Sequence, residues 1–112
     1  KSSETARGIE AEVTIDGKPV SIKGSGTGLI SAFVHGISEK TGTKFEVAHY
    51  SEHALGGTTG KAATFINLSY IGENGNKESR WGCGLHEDVS QASIEAIVSV
   101  VNALAELKKL TL

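Results

Sequence analysis

The chain has 112 residues, a formal net charge of −2, 38% hydrophobic and 21% charged residues. That describes one domain with a single modest core, and the charge gives no electrostatic pull toward nucleic acid or an anionic membrane. The one cysteine, Cys83, excludes an internal disulfide framework and fits a reducing, intracellular compartment, and no apolar run reaches the ~20 residues that span a bilayer. Residues 1–6 read as a polar linker from a longer protein, 7–109 as the domain and 110–112 as a tail.

Ile9, Ala11, Val13 and Ile15 alternate with Glu10, Glu12 and Thr14, which predicts a half-buried strand. Asp16-Gly17 is a two-residue hairpin signal. The return strand runs from Lys18 to Lys23, with Pro19 marking an edge position. Gly24-Ser25-Gly26-Thr27-Gly28 follows as a glycine loop, and then the period turns helical. Leu29, Ile30, Phe33, Val34 and Ile37 make one stripe, and Thr41-Gly42 stops the helix. A third strand runs from Phe45 to about Ser51, and Gly56-Gly57-Thr58-Thr59-Gly60 forms a polar loop. Ala62 to Ile71 is the longest strand, Asn74-Gly75 a second hairpin signal, and Lys77 to Cys83 a fifth strand. Asp88 with Gln91 reads as a capping box opening a long helix. Ile94, Ile97, Val98, Val101, Leu104 and Leu107 give that helix a broad apolar face, and Lys108 and Lys109 complement its dipole. The order β-β-α-β-β-β-α predicts an α+β fold, an antiparallel sheet with helices on one face. No repeat is visible residue by residue, yet the order reads as two related halves. The wide helical face calls for a partner, so a dimer is expected.

The chemistry is sparse. The glycine loop ends where a helix begins, so free N–H groups there are placed to meet an anion. It is neither a P-loop, which needs Gly-Lys-Ser/Thr where Leu29-Ile30 stand, nor a Rossmann fingerprint, which needs other glycine spacing and an acid near Tyr50. His49 and His53 lack the ligand count and spacing of a zinc site. Cys83 between two glycines reads as a small buried residue, and Trp81 as core bulk. Tyr50-Ser51-Glu52-His53 reads as a strand-end cluster. Nothing here makes a self-contained active site; no metal or cofactor is expected in this domain.

Several of these pieces, in this order, carry a resemblance. They are Gly28-Leu29-Ile30-Ser31-Ala32-Phe33, Tyr50-Ser51-Glu52-His53-Ala54-Leu55, Ile66-Asn67-Leu68-Ser69-Tyr70-Ile71, Trp81-Gly82-Cys83-Gly84 and Ala92-Ser93-Ile94. From about Gly8 to Leu107 the chain resembles the C-terminal regulatory domain of 2-isopropylmalate synthase, the LeuA allosteric (dimerisation) domain, with details closest to its fungal branch. The resemblance implies a pseudo-symmetric pair of β/α units that dimerises, binds leucine near the dimer interface and inhibits a distant catalytic domain. That catalytic part is a (β/α)₈ barrel with a divalent metal, absent here, which condenses acetyl-CoA with 2-oxoisovalerate. It implies a leucine pocket from Gly26, Gly28, Ile30 and Ser31 at the first helix start, Val47, Tyr50 and Ala54 on the third strand, Gly60 and Ala62 beyond it, and Leu85 before the last helix. A free amino acid suits that place: its carboxylate takes backbone N–H groups, its ammonium needs carbonyls or an acid, and its isobutyl group a small apolar pocket. A shorter loop after His53 and a one-residue insertion before Phe45 depart from the family pattern. The nearest variant is the citramalate synthase module answering to isoleucine. The other readings are a dimerisation domain without an effector, and an independent small enzyme using His53, Glu52, Tyr50 or Cys83. The residues do not separate a mitochondrial from a cytosolic setting.

Overall fold

Alternation and turn chemistry dictate the first hairpin. In the computed structural model, which describes residues 7–55 and 60–107, β1 (Arg7–Ile15) pairs antiparallel with β2 (Lys18–Gly26). Asp16 (φ 55°) and Gly17 (φ 76°) form the two-residue turn, and Ile15 faces Lys18 across it. The strand β2 runs three residues past the expected end at Lys23, because Gly24 and Gly26 belong to the strand and lie against the helix that follows. That helix, α1 (Leu29–Thr41), buries Ala32, Phe33, Val34, Gly36 and Ile37.

The second half repeats this with one more strand. The strands β3 (Glu46–Ala54), β4 (Ala62–Ile71) and β5 (Lys77–His86) form an antiparallel sheet in the order β3-β4-β5, and α2 (Val89–Glu106) covers one face of it. The strands therefore lie in two sheets, of two and three strands, each with its own helix. Ile15 and Ile22 from the first, Ile66 and Leu68 from the second, and Phe33, Ile37, Ile97, Val101 and Leu104 from the helices meet in one core, all fully buried. The fold is α+β in the expected order.

Helix and sheet approach so closely that side chains must be absent between them. A Cβ on Gly24 would collide with the Ala32 carbonyl oxygen and come within 2.7 Å of Gly36 N. A Cβ on Gly84 would collide with the Ala92 carbonyl oxygen and come within 2.8 Å of Ala96 N. These contacts are equivalent, and the paired positions stand 60 apart: Gly24 and Gly84, Ala32 and Ala92, Gly36 and Ala96. The helix starts, Gly28 and Asp88, keep the same offset. So does a side chain at each strand edge: His35 Nδ1 lies 2.7 Å from the Ser25 carbonyl oxygen, and Glu95 accepts from Leu85 N–H at 3.2 Å. The two related halves are thus a structural repeat, with β1 answering to β4, β2 to β5 and α1 to α2.

Four expectations change. Trp81 and Cys83 are exposed, not core: Gly82 and Gly84 take the inward positions of β5, and alternation turns Trp81, Cys83 and Leu85 outward. The Trp81 and His49 rings meet in a T-shaped arrangement across the sheet, 5.4 Å between centroids. The capping box does not form. Asp88 accepts from Ser90 N–H at 2.8 Å, but its own N–H donates to His86 Nδ1 at 2.9 Å, the role expected of Gln91. Phe45 precedes β3 instead of opening it, and is buried edge-on to Tyr70. Leu107, counted on the buried face, is the exposed C-cap of α2. The expected features at Gly56–Thr59 and at Lys108 and Lys109 lie outside the described residues.

Candidate functional site

The repeat brings two helix starts to the same region, and they differ in one respect. At α2, the Asp88 carboxylate fills the N-terminus from within. At α1 the N-cap is Gly28, extended at φ −154° and ψ −178°, with no side chain to cap anything. The first intrahelical bond there is Ala32 N–H to the Gly28 carbonyl at 2.9 Å, so the N–H groups of Leu29, Ile30 and Ser31 precede it and point out of the helix end. A Cβ built on Gly28 meets nothing within 4 Å. The missing side chain therefore opens space above donors that carry the positive end of the helix dipole.

Opposite lies Tyr50 on β3. A bulge sets its direction: the register shifts between Val47 and His49, so Val47 and Tyr50 share the inner face although three residues apart. The Tyr50 hydroxyl donates to Glu52 Oε2 at 2.6 Å and lies 3.1 Å from Ser93 Oγ, on α2. Burial, followed by the bond to Glu52, pushes the phenol pKa up, so Tyr50 stays neutral and polar in the site. The Thr64 hydroxyl beneath it is fully buried and is among the polar contacts of the Tyr50 hydroxyl.

Gly28, Ile30, Ser31 and Tyr50 line one cleft of about 390 Å³ with Val89, Ser90 and Ser93 from the start of α2. That volume lies within the ~300–1,000 Å³ of small-molecule sites. Four of the ten expected site residues thus meet, and three contributors from α2 were missed because they read only as helix-start residues. Their signal was the repeat, which sets Val89 beside Leu29. Gly26 stands behind the cleft, packed on Ser31 and Ala32. Val47 and Ala54 share the inner face of β3 with Tyr50, to either side of it, and both are exposed. Gly60 and Ala62 lie next to Ala54, which pairs with Ala62. Leu85 is not brought in: it points from the opposite face of the sheet and is exposed. A larger groove of about 780 Å³ runs over Glu10, Lys23, Ser25, His35 and Glu39, but it lacks an open helix end.

The remaining reactive side chains are dispersed. His53 meets Phe65 edge-on on the outer sheet face, Cys83 stands two positions from Trp81, and among the described residues no three His, Cys, Asp or Glu converge. No described helix is long and apolar enough to cross a membrane.

The chain is thus a β/α repeat with a cleft at an uncapped helix start. Residues 1–105 match the family described as the LeuA allosteric (dimerisation) domain, and the chain belongs to that family. Among curated proteins it is 42% identical over 105 residues to the yeast Saccharomyces cerevisiae protein named 2-isopropylmalate synthase 2, mitochondrial, covering 91% of this chain and 17% of that protein. It is 38% identical over 98 residues to the 2-isopropylmalate synthase of the same yeast, covering 86% and 16%. It is 39% identical over 95 residues to the 2-isopropylmalate synthase of Mycobacterium ulcerans, covering 84% and 16%. The chain spans about one sixth of the length of these relatives.

Proposed function

We propose that this domain is the feedback sensor of a 2-isopropylmalate synthase: it binds leucine in the cleft at the start of α1 and thereby restrains a catalytic barrel in the same polypeptide. The carrying observation is the contrast between the two helix starts. One holds its own carboxylate and the other holds none, beside a neutral Tyr50 hydroxyl and the Glu52 carboxylate. A leucine carboxylate meets the N–H groups of α1, its ammonium meets Glu52 and the hydroxyls, and its isobutyl group meets Ile30.

The site is open on one side. Every residue of β3 is exposed or half-buried, Val47 and Ala54 on the cleft side included. A second copy of the domain seated there encloses the effector, which supports the reading of leucine at a dimer interface. Leucine then acts by binding one arrangement of the paired domains better than another, a coupling of typically ~1–3 kcal/mol in allosteric proteins. The condensation of acetyl-CoA with 2-oxoisovalerate, and the divalent metal it uses, belong to the barrel; this domain supplies no step of that chemistry. The setting is intracellular, and one yeast relative is named as mitochondrial.

Calorimetric titration with leucine, isoleucine and valine tests this. Selective leucine binding by a dimer supports it. Binding of isoleucine alone moves the parent to a citramalate synthase. No binding by a folded dimer overturns the sensor reading and leaves an assembly domain.

A further inference from the structure

The sheet β3-β4-β5 has a second face, turned away from α2, and the repeat supplies its control. In the first half the corresponding face is a solvated one. Glu10, Glu12 and Thr14 of β1 alternate outward, as do Ser21, Lys23 and Ser25 of β2. Glu10 and Lys23 are partners across the strands, 4.0 Å apart and both well exposed. Counted 60 residues on, Ser21, Lys23 and Ser25 become Trp81, Cys83 and Leu85. Phe65 of β4 pairs with Cys83 just as Glu10 pairs with Lys23. An ion pair in one half is thus replaced by a phenyl ring beside a thiol in the other.

The replaced face is open. Trp81 is 57% exposed, Leu85 47% and Phe65 38%. His49 and His53 of β3 stand there too, in T-shaped contact with Trp81 at 5.4 Å and with Phe65 at 5.8 Å. From the Trp81 row to the Leu85 row, the three strands turn no Asp, Glu, Lys or Arg outward. Large apolar side chains gathered without charge mark a contact surface.

Size decides between occupants. Trp81 to Leu85 spans ~14 Å along the strand and the three strands ~10 Å across, roughly 300 Å² with side-chain margins. Separate molecules need about 800 Å² from each partner for a stable interface. A second copy is therefore a poor occupant, and the proposed dimer already seats it on the cleft side of the sheet. A partner on the same polypeptide needs far less area, because a tether holds it at an effective concentration in the ~millimolar range. The chain spans about one sixth of the length of its relatives. A sensor acts on the rest of such a chain only through contacts that differ between its two states. The strand β3 links both faces: Tyr50 lines the cleft, and its neighbours His49 and Ser51 stand on the outer side.

We propose that the outer face of β3-β4-β5 is the docking surface for the catalytic part of the same polypeptide, which seats an apolar patch of its own over Phe65, Trp81 and Leu85. This inference rests on the reading of the domain as the sensor of a longer synthase chain.

Photo-cross-linking on the full-length protein tests it. With Phe65→p-benzoylphenylalanine at the centre of the face, illumination and peptide mass spectrometry are expected to join position 65 to peptides outside residues 1–112. Links confined to residues 1–112 overturn the proposal, whether they lie within one chain or reach a second copy. An absence of links overturns it as well, because the face then meets only water. Trp81→Ser removes a ring that is more than half exposed. It is expected to leave leucine binding unchanged in calorimetry while most of the inhibition, a coupling of ~5- to 150-fold in typical allosteric proteins, is lost. Inhibition equal to that of the unaltered protein overturns the docking. The two readings fail separately: an unaltered protein that neither binds leucine nor is inhibited sinks the sensor, whereas the cross-links alone decide what covers the face.

Discussion

Gly28→Asp converts the first helix start into a copy of the second. The backbone at Gly28 is extended, so the new residue adopts it without strain, and its Cβ enters empty space. At the equivalent position Asp88 accepts from the N–H two residues on at 2.8 Å, so an aspartate at 28 takes the Ile30 N–H. Two effects follow with opposite sign. A capped helix is more stable than a glycine-started one by a few tenths of a kcal/mol, with up to about 1 more from the dipole. That raises Tm by roughly 2–6 °C in a domain of this size. The same carboxylate occupies the donors that the proposed site offers leucine and repels the ligand's carboxylate. Loss of one charge-assisted hydrogen bond, about 1.5–3 kcal/mol, weakens binding by about 10- to 150-fold. Calorimetry with leucine and a thermal melt on one sample read both effects, and Gly28→Ala serves as the uncharged control. A Tm that rises while leucine affinity stays unchanged refutes the placement of the carboxylate at this helix start.

Three further outcomes are expected. Gly84→Ala drives a methyl group into the Ala92 carbonyl oxygen and toward Ala96 N; neither backbone atom yields cheaply, so denaturant unfolding should show a loss near the upper end of about 1–3 kcal/mol, and a loss under about 1 refutes the contact. Thr64→Val replaces a fully buried hydroxyl beside Tyr50 by a methyl group of like shape, and chemical denaturation should show stability changed by no more than about 1 kcal/mol, since a lost hydrogen bond and a relieved desolvation offset each other. Tyr50 has a folded pKa above the ordinary value near 10, chiefly through burial. The folded state therefore holds its proton longer than the unfolded state, and stability is full below pH ~10 and falls as pH rises through the folded pKa. Tyr50→Phe should flatten that alkaline decline in urea melts at pH 9 to 11, and an unchanged slope removes Tyr50 as its source.

Periodicity carried most of the fold. The hairpin at Asp16-Gly17, the α1 stripe through Phe33 and Ile37, and the α2 stripe through Ile97, Val101 and Leu104 are local patterns with local causes. The misreadings of β2 and β5 share one origin in helix–sheet contact. Gly24, Gly26, Gly82 and Gly84 read as loop or filler because the reason for them sits on a helix distant in sequence: the small residues Ala32, Gly36, Ala92 and Ala96. Once glycines own the inward positions of β5, Trp81 and Cys83 must face outward. The bulge after Val47 is likewise set by pairing with β4, and no local signal announces it. The cleft was half legible: the uncapped helix start shows in the glycines, whereas the share of α2 in it follows only from the repeat.

The unequal helix starts fix a number. Each chain has two such ends related by the repeat, and a pair of chains has four, yet half of them come already occupied by the protein's own Asp88 carboxylate. On the proposed reading the binding stoichiometry is one effector per chain and two per pair of chains. The Asp88 carboxylate closes the second helix start, so on that reading saturation has a single site per subunit to fill.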